Sequence, residues 1–392
     1  MKPITISLAF LLRAASVSAA PDTAPPPLRL GVTRSQDRVF LVENHATAYT
    51  LWHALGVTNA TLVHLDTHDD CRYVAPMKLQ RLKELVSQQD YVTAFRLGDI
   101  GTYLSFIVNP DQALYDLGNF IYPCLMDGTV TNFLWVVPDK TLGDSAKKHL
   151  QLHLQHVLRL GAPPVIADAP NRFSFSLSNA TVTVTTLDAL PDIAPGALLD
   201  IDTDFFSFPS ALAKSHLQGE LMWDPVSVCT NLGRRVPAPC VVTIASSVWG
   251  GYLPLLYRFL SDAYFEYFTS GRYPAYAVKF QRSVSTVWNG PDAILLPPAP
   301  DGPVFQAAYD HLNAVFLLMK GNEAEATRLL QKAAQASPVY AKGFLDAAEG
   351  LTYMGKFKSA HEEIDRFDRL LGRETIPSLA TRILVCLEQG RI

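Results

Sequence analysis

Three short clusters in this sequence combine acidic and imidazole side chains at spacings typical of metal ligands. The first lies in the segment VENHATAY, the second in HLDTHDD and the third in LLDIDTDFF. The six candidate ligands are His45, Asp66, His68, Asp70, Asp200 and Asp202. So many carboxylates in one crevice would not stay ionised without a cation. A shared metal site is therefore the first hypothesis.

Two of these clusters follow apolar runs that have the composition of buried strands. Residues 61–65 (TLVHL) and 197–201 (ALLDI) are rich in β-branched and aliphatic side chains, which predicts central strands of a parallel sheet. Side chains alternate in direction along an extended chain, so the ligands of each cluster can face one way. Residues at the carboxyl ends of such strands usually meet in one crevice. We therefore expect both clusters to converge with His45.

The donor types narrow the choice of metal. Carboxylates with some imidazole and no thiolate suit Mn²⁺ or Fe²⁺, and they suit Zn²⁺ less well. Six protein ligands are too many for one ion with an open catalytic position, but they suit two ions that share carboxylates. Such ions lower the pKa of bound water, so hydrolysis at a planar, electrophilic carbon is the expected reaction. The metal-free alternative is an aspartate-rich loop that caps backbone N–H groups.

The order of these motifs resembles that of a known superfamily. A histidine, then D-x-H-x-D, then D-x-D, with the last two each following a strand, is similar to the pattern of the arginase and agmatinase ureohydrolases. The flanking segments DLGNFIYPCLMDG, FLWVVPD, DIDTDFF and VVTIASSVWGGY resemble the UPF0489 family, which shares the arginase and deacetylase fold. Some bacterial relatives are peptide arginases, which convert arginine within a peptide into ornithine and urea. The resemblance covers about residues 28 to 290.

The resemblance implies a fold and a metal centre. The fold is α/β, an arginase-like three-layer arrangement with a central parallel sheet, which we place at residues 28–298. The six candidate ligands would hold two Mn²⁺ ions, with Fe²⁺ or Zn²⁺ as other candidates. Asp70 becomes a candidate proton shuttle. Asp204 alternates in phase with Asp200 and Asp202, so we expect it to reach the crevice as a second catalytic candidate that orients a ligand or binds a cationic substrate.

Further polar residues lie in or near the family-like segments. Asn119, Ser246 and Ser247 are candidates for contacts to the substrate or to the metal ligands. The alternative is that they only cap backbone groups, as polar residues at strand ends often do. His64 is expected to fill the core of its strand, and a supporting role near the metal is the alternative for it.

Departures from the family pattern bear on the substrate. Free-arginine enzymes carry glycine-glycine-aspartate before the first histidine, whereas Glu43 and Asn44 precede His45 here. Residues that would grip the α-amino and α-carboxyl groups are not recognisable, so arginine within a peptide or protein is the expected substrate. One alternative is a single-zinc deacetylase-like amidohydrolase, and another is a noncatalytic peptide-binding scaffold. Retention of Asp70 and Asp202 favours two metals and an enzyme.

The last ninety residues form a separate region, which we place at residues 303–392. A proline-rich segment, LLPPAPDGP, precedes a helical apolar period. A 34-residue repeat matches Ala314 with Ala348, Gly321 with Gly355, Ala326 with Ala360, and Leu330 with Ile364. This resembles a pair of tetratricopeptide repeats, an all-α domain that could bind a peptide or a protein partner. An ordinary pair of helical hairpins is the alternative.

Composition and the first residues bear on partners and location. The chain has 392 residues, 18% of them charged, a net charge of −4 and a pI near 6.2, so it lacks the basic footprint of a nucleic-acid-binding protein. Residues 1–20 resemble a secretory signal peptide, although Arg13 interrupts the apolar stretch. We therefore expect a secreted or secretory-pathway protein, with a cytoplasmic or organellar location as the alternative. No other segment is apolar enough to predict a membrane span.

Five cysteines are present, which is an odd number. Cys229 and Cys240 flank the segment TNLGRRVPAP and could close it with a disulfide. Cys71 adjoins the second cluster and is expected to be a packing residue.

Overall fold

The computed structural model of the chain describes residues 32–98, 113–206, 221–249, 252–287 and 295–390. These residues contain one nine-stranded mixed sheet and thirteen α-helices, so the predicted α/β class is confirmed. The segment 1–20, predicted to be a signal peptide, lies outside the described residues. None of the helices in the described ranges has the length and apolar character that a bilayer crossing requires.

The sheet has a parallel centre and antiparallel edges. Its strands are β1 (Val32–Gln36), β2 (Val39–Val42), β3 (Ala60–Leu65), β4 (Val130–Val137), β5 (Ala167–Ala169), β6 (Arg172–Leu177), β7 (Ala180–Thr186), β8 (Leu198–Asp202) and β9 (Val241–Ala245). Their order in space is β1-β2-β9-β8-β3-β4-β7-β6-β5. Neighbours among the six central strands pair in parallel; these strands are β2, β9, β8, β3, β4 and β7. The outer strands, β1 at one edge and β6 and β5 at the other, pair antiparallel.

Helices pack against both faces of this sheet. Those of the α/β part are α1 (Thr47–Ala54), α2 (Pro76–Ser87), α3 (Tyr91–Arg96), α4 (Ile121–Asp127), α5 (Asp144–Val157), α6 (Pro225–Arg235), α7 (Phe259–Ser270) and α8 (Ala275–Thr286). On β3, Val63 packs with residues of α6 to α8, while Leu62 packs on the other face with residues of α1 and α4. Strands that are buried on both faces read as nearly continuous apolar runs, which is how β3 and β8 were recognisable.

The two strands predicted to be central lie side by side. β3 and β8 pair in parallel, with His64 opposite Asp200 and Leu65 opposite Ile201. The expectation of parallel central strands at these positions is therefore confirmed, and their carboxyl ends share one edge of the sheet.

Five helices follow the sheet region along the chain. They are α9 (Gln306–Met319), α10 (Glu323–Ala336), α11 (Gly343–Tyr353), α12 (Phe357–Leu371) and α13 (Ile376–Glu388). Gly321 and Gly355, 34 residues apart, both turn the chain between helices with positive φ angles of 79° and 72°, which glycine adopts readily. The other matched positions of the repeat are all buried: Ala314, Ala326, Leu330, Ala348, Ala360 and Ile364.

These helices share a hydrophobic core with the α/β part. Leu312 of α9 and Tyr340, in the 3₁₀ turn Pro338–Lys342, belong to the same buried cluster as strand residues such as Leu199. In a second contact between the two regions, the ring centroids of Trp249 and Phe367 lie 6.1 Å apart. The C-terminal helices are thus packed onto the sheet region rather than held away from it.

The suggested disulfide is not formed. Cys229 is buried within α6 and Cys240 is half-buried just before β9, and both are free thiols. The spacing suggested a closed loop, but residues 225–235 are helical and bury Cys229 as an apolar packing residue. Cys71 is also a buried free thiol within the core, as expected.

Candidate metal centre

The candidate ligands lie at the carboxyl ends of adjacent parallel strands. The order β2-β9-β8-β3 places four strand ends side by side. His45 follows β2, Asp66 follows β3 directly, and Asp200 and Asp202 occupy the end of β8. Ser246 follows β9 directly. The predicted convergence of the three clusters is present in the structure.

His45 occupies the middle of this crevice. Its Nε2 lies 2.7 Å from Oδ2 of Asp200, and its Nδ1 lies 3.2 Å from Oδ2 of both Asp70 and Asp202. A fourth carboxylate, that of Asp66, has Oδ2 at 3.5 Å from the same Nδ1. The histidine is 3% exposed. All three sequence clusters therefore contribute to one buried group of side chains.

The second cluster reaches the crevice by a different backbone path from the predicted one. β3 ends at Leu65, so Asp66, His68 and Asp70 do not lie on an extended strand. The N–H of His68 donates instead to Oδ1 of Asp66 at 2.6 Å, and Asp70 has a positive φ of 45°. The expectation of simple alternation was wrong here, because local side-chain hydrogen bonds turn the chain immediately after the strand.

Asp69 fixes the loop that follows β3 to a neighbouring helix. Oδ1 of Asp69 accepts from the N–H of Cys71 at 2.9 Å, and its Oδ2 lies 2.7 Å from Nε2 of His153 on α5. Asp69 thus anchors the loop to a helix, while the residues on either side of it face the crevice.

The third cluster follows the predicted alternation only in part. Asp200 and Asp202 are alternate residues of β8 and contact the same imidazole of His45. Asp204 lies in the 3₁₀ turn Thr203–Phe206, so the expectation of an extended chain at this position was wrong. Its carboxylate still reaches the cluster, because Oδ2 lies 3.0 Å from Nδ1 of His68.

The structure adds His64, which sequence reasoning expected to be a core residue. Its Nδ1 lies 2.7 Å from Oδ2 of Asp200, and its Nε2 lies 3.3 Å from Oδ2 of Asp66. The imidazole is fully buried and packs against Phe133 and Phe120. Its position two residues before Asp66, which directly follows β3, was the signal that could have identified it, because alternate residues of a strand face the same side of the sheet.

Eight side chains thus offer donor atoms to one or more cations. In four overlapping groups, the donor atoms lie within 4.8 Å of one another. The groups are His45, His64 and Asp200; His45, Asp66 and Asp202; His64, Asp66 and Asp70; and Asp66, His68 and Asp204. All six predicted ligands appear among them, and His64 and Asp204 are added.

The buried charges shift one another's pKa values. Burial alone would lower the pKa of His45, but the charge of Asp200 and hydrogen bonds to the carboxylates raise it well above its usual value. For His64, burial alone would lower the pKa, but the carboxylates of Asp200 and Asp66 raise it to about 10. Burial and the charge of Asp66 raise the pKa of Asp70 to about 7. Imidazoles must lose their protons to bind a metal ion, so metal binding here should release protons.

Buried polar atoms without hydrogen bonds test whether the cluster fits a cation. Among the described residues, four buried atoms of the cluster lie within ion-pair distance of an oppositely charged group but form no hydrogen bond of suitable geometry: His45 Nδ1, His64 Nε2, Asp66 Oδ2 and Asp204 Oδ2. Such atoms are costly and uncommon in folded proteins. All four belong to imidazole or carboxylate groups, which are common metal ligands, and they lie together, so a bound cation would satisfy them. The donor set therefore fits a carboxylate-rich metal site.

The remaining predicted site residues fall into two situations. Ser247 donates its hydroxyl to Oδ2 of Asp202, and Ser246 donates to Oε2 of Glu43. Ser247 also has a positive φ of 47°, an uncommon backbone conformation that is often found at functional sites. Asn119 is engaged instead in a local turn, where its Oδ1 accepts from the N–H of Asp116 at 2.6 Å.

The cluster opens to solvent beside His68. Its side chain is 39% exposed, whereas that of Asp66 is 1% exposed. The ring of Tyr252 lies 4.6 Å from the imidazole of His68 in an edge-to-face arrangement. A substrate would therefore approach past His68 and Tyr252, with the acidic residues behind them.

Comparison with known proteins leaves the geometry as the basis for a functional assignment. No family model matches this chain, and no curated protein matches it.

Proposed function

We propose that this protein is a dinuclear metal-dependent hydrolase of the ureohydrolase type. Its substrate would be arginine within a peptide or protein, and its products ornithine in the chain and urea. The observation that carries the proposal is the buried group of five aspartates and three histidines at the carboxyl ends of neighbouring parallel strands. A site with this many acidic donors suits two divalent cations, and it also attracts a cationic guanidinium group.

The proposed ligands are the six predicted from sequence, together with the donors that the structure adds. Mn²⁺ is the preferred ion, and Fe²⁺ or Zn²⁺ would fit the same donor types less closely. When bound, the ions would supply a nucleophile at neutral pH and electrostatic stabilisation of the transition state. The four buried atoms of the cluster that form no hydrogen bond support this assignment.

Asp70 and Asp204 are assigned to the substrate chemistry. Asp70 is assigned, by its place in the family-like motif, to hold a proton and transfer it to the leaving amine. Asp204 lies beside the exposed imidazole of His68, where its carboxyl would contact the guanidinium of the entering arginine.

The finer fold assignments belong to the same proposal. Helices on both faces of a sheet with a parallel centre support an arginase-like three-layer fold for residues 28–298. The equivalent glycine turns and buried positions at a 34-residue spacing support tetratricopeptide-like repeats in residues 303–392. Contact between Trp249 and Phe367 brings those helices close to the loop after β9, so they are suited to hold a peptide near the crevice.

One observation supports a second candidate function. A deacetylase-like amidohydrolase would use a single zinc and a tyrosine that polarises the scissile carbonyl, and the ring of Tyr252 lies next to His68 at the opening of the site. The additional carboxylates of Asp70 and Asp202 beside His45 favour the two-metal assignment.

A urea-release assay on Mn²⁺-loaded protein tests the proposal. Free arginine, agmatine and arginine-containing peptides would be compared, with acetyl release from acetylated peptides measured in parallel. We expect urea from peptides only, and loss of that activity in Asp66→Asn and Asp202→Asn. Asp127→Asn is the matched control, because Asp127 pairs with His53 near the amino-terminal ends of the strands, away from the cluster. Acetyl release without urea would move the protein to the second candidate.

A further inference from the structure

A buried arginine holds two carboxylates behind the metal cluster. Nη2 of Arg258, at the start of α7, lies 2.8 Å from Oε1 of Glu43, and its Nη1 lies 2.9 Å from Oδ2 of Asp262. The Nε of the same guanidinium also donates to Oε1 of Glu43 at 3.2 Å. Arg258 is 4% exposed. Two hydrogen bonds from one guanidinium to one oxygen, with a third to another carboxylate, fix Glu43 closely.

Glu43 in turn joins two of the loops that present the cluster. It lies two residues before His45, and its second carboxylate oxygen, Oε2, accepts from the hydroxyl of Ser246. The next residue, Ser247, donates to Oδ2 of Asp202. The loops after β2 and β9 are therefore connected through one carboxylate, and Arg258 orients that carboxylate.

The C-terminal helices cover this network. Tyr340 is 2% exposed in the same hydrophobic cluster as Tyr257, the residue before Arg258. The charges of Arg258, Asp262 and Glu43 all act on the Tyr340 hydroxyl. The side chain of Arg258 is 4% exposed, whereas those of Glu43 and Asp262 are 21% and 16% exposed. A charge as deeply buried as that of Arg258 is screened little by salt.

We propose that Arg258 is a positioning residue for the metal centre, which acts through Glu43 and Ser246 on the loops that carry His45 and Ser247. The proposal rests on the metal centre of the proposed function, and it assigns a role to Glu43, which lies where the sequence departs from the family pattern before His45. Arg258 acts on the centre only through these intermediate side chains.

Loss of Arg258 should affect the two ends of the cluster differently. The groups that contain His45 depend on the loop that Glu43 anchors. The group of Asp66, His68 and Asp204 is carried by the loop after β3 and the 3₁₀ turn after β8. The hydrogen bonds of Glu43 go to Ser246 and Arg258, and the turn joins this network only through Thr203, whose hydroxyl donates to the carbonyl of Ser246 at 3.1 Å. Loss of Arg258 should therefore weaken the metal position with His45 more than the other.

Titration with Mn²⁺ tests this difference, with binding followed by calorimetry and by the Mn²⁺ paramagnetic resonance signal. In Arg258→Lys, a compact ammonium cannot hold both carboxylates in the same way. We expect the metal position that includes His45 to weaken by about tenfold or more, as is typical when partners of metal ligands are removed, and the other position to change by less than about twofold. Glu43→Gln should show the same selectivity if Arg258→Lys folds poorly.

Arg382→Lys is the matched control, because Arg382 also joins two carboxylates, Asp365 and Asp368, within the C-terminal helices. Its Mn²⁺ titration should equal that of the parent. Equal weakening of both metal positions in Arg258→Lys and Glu43→Gln would show a general loss of structure and overturn the proposal, as would unchanged binding. A parent that binds no Mn²⁺ would instead refute the metal centre itself, and this outcome is recognised without any variant.

Discussion

Nδ1 of His64 lies 2.7 Å from Oδ2 of Asp200, and the two residues face each other across the parallel strands β3 and β8. The same carboxylate oxygen lies 2.7 Å from Nε2 of His45. One aspartate is thus held between two imidazoles in the floor of the crevice. Partners of this kind orient metal-binding carboxylates and tune their basicity.

Replacement of His64 should therefore weaken metal binding. His64→Phe fills the space but removes both nitrogen atoms, and we expect Mn²⁺ affinity to fall by roughly 10- to 100-fold. His64→Gln retains a donor and should recover part of the loss. Calorimetric titration measures both. His53→Gln serves as the control, since His53 pairs with Asp127 near the amino-terminal ends of the strands. Equal Mn²⁺ affinities in His64→Phe and the parent would refute the role of His64.

The C-terminal helices should give a pH-dependent contribution to stability. Burial lowers the pKa of His311 to about 4, while Asp346 raises it and Lys342 lowers it further. The unfolded state therefore binds this proton first, so stability is greatest above the unfolded pKa of about 6.5 and falls as the pH drops toward 4. The loss amounts to about 3 kcal/mol at most. Urea unfolding at several pH values measures it, and His311→Gln should have a flatter profile; parallel profiles would contradict the assignment.

The contact between Trp249 and Phe367 should couple the helices to the sheet region. Phe367 is fully buried, so Phe367→Ala should destabilise the protein by about 3–5 kcal/mol. Trp249 is half-buried, so its truncation to alanine should lower the free energy of unfolding by less. A double-mutant cycle with Trp249→Ala should give an interaction energy of about 0.5–1.5 kcal/mol. Strict additivity of the two changes would show that the rings do not stabilise each other.

Removal of the Tyr340 hydroxyl should stabilise the protein. This hydroxyl is buried and has no hydrogen-bond partner among the described residues. Tyr340→Phe removes an unsatisfied polar group and keeps the ring, so the free energy of unfolding should rise by about 1 kcal/mol. Chemical denaturation checks the change. A decrease would indicate that the hydroxyl is hydrogen-bonded in solution, for example to water.

The strands and the ligands could be predicted because their signals are local. Parallel strands buried on both faces leave apolar runs in the sequence, as at β3 and β8, and acidic residues directly after them mark one edge of the sheet. For this reason the amino-acid sequence alone is enough to place Asp66 and Asp200 in one crevice, whereas His45 is added to them by the order of the three motifs.

The finer geometry depends on interactions that a linear pattern does not contain. The turn after Leu65 is set by the hydrogen bond from the N–H of His68 to the Asp66 carboxylate, which alternation cannot predict. The contact between His64 and Asp200 is also absent from the linear pattern, which predicts only a core residue at His64. The two residues lie 136 positions apart and become adjacent only through strand register. The role of Glu43 likewise depends on Arg258, a residue 215 positions away.

Metal content provides the sharpest test of whether the buried cluster binds two metal ions. The purified chain would be incubated with excess Mn²⁺, freed of unbound ions and measured by elemental mass spectrometry alongside Asp66→Asn and Asp127→Asn. We expect two Mn²⁺ per chain in the parent and in Asp127→Asn, and at most one in Asp66→Asn, because Asp66 contributes to three of the four donor groups. A parent that retains no stoichiometric metal, or an Asp66→Asn variant that retains as much as the parent, would show that the cluster is not a centre for two metal ions.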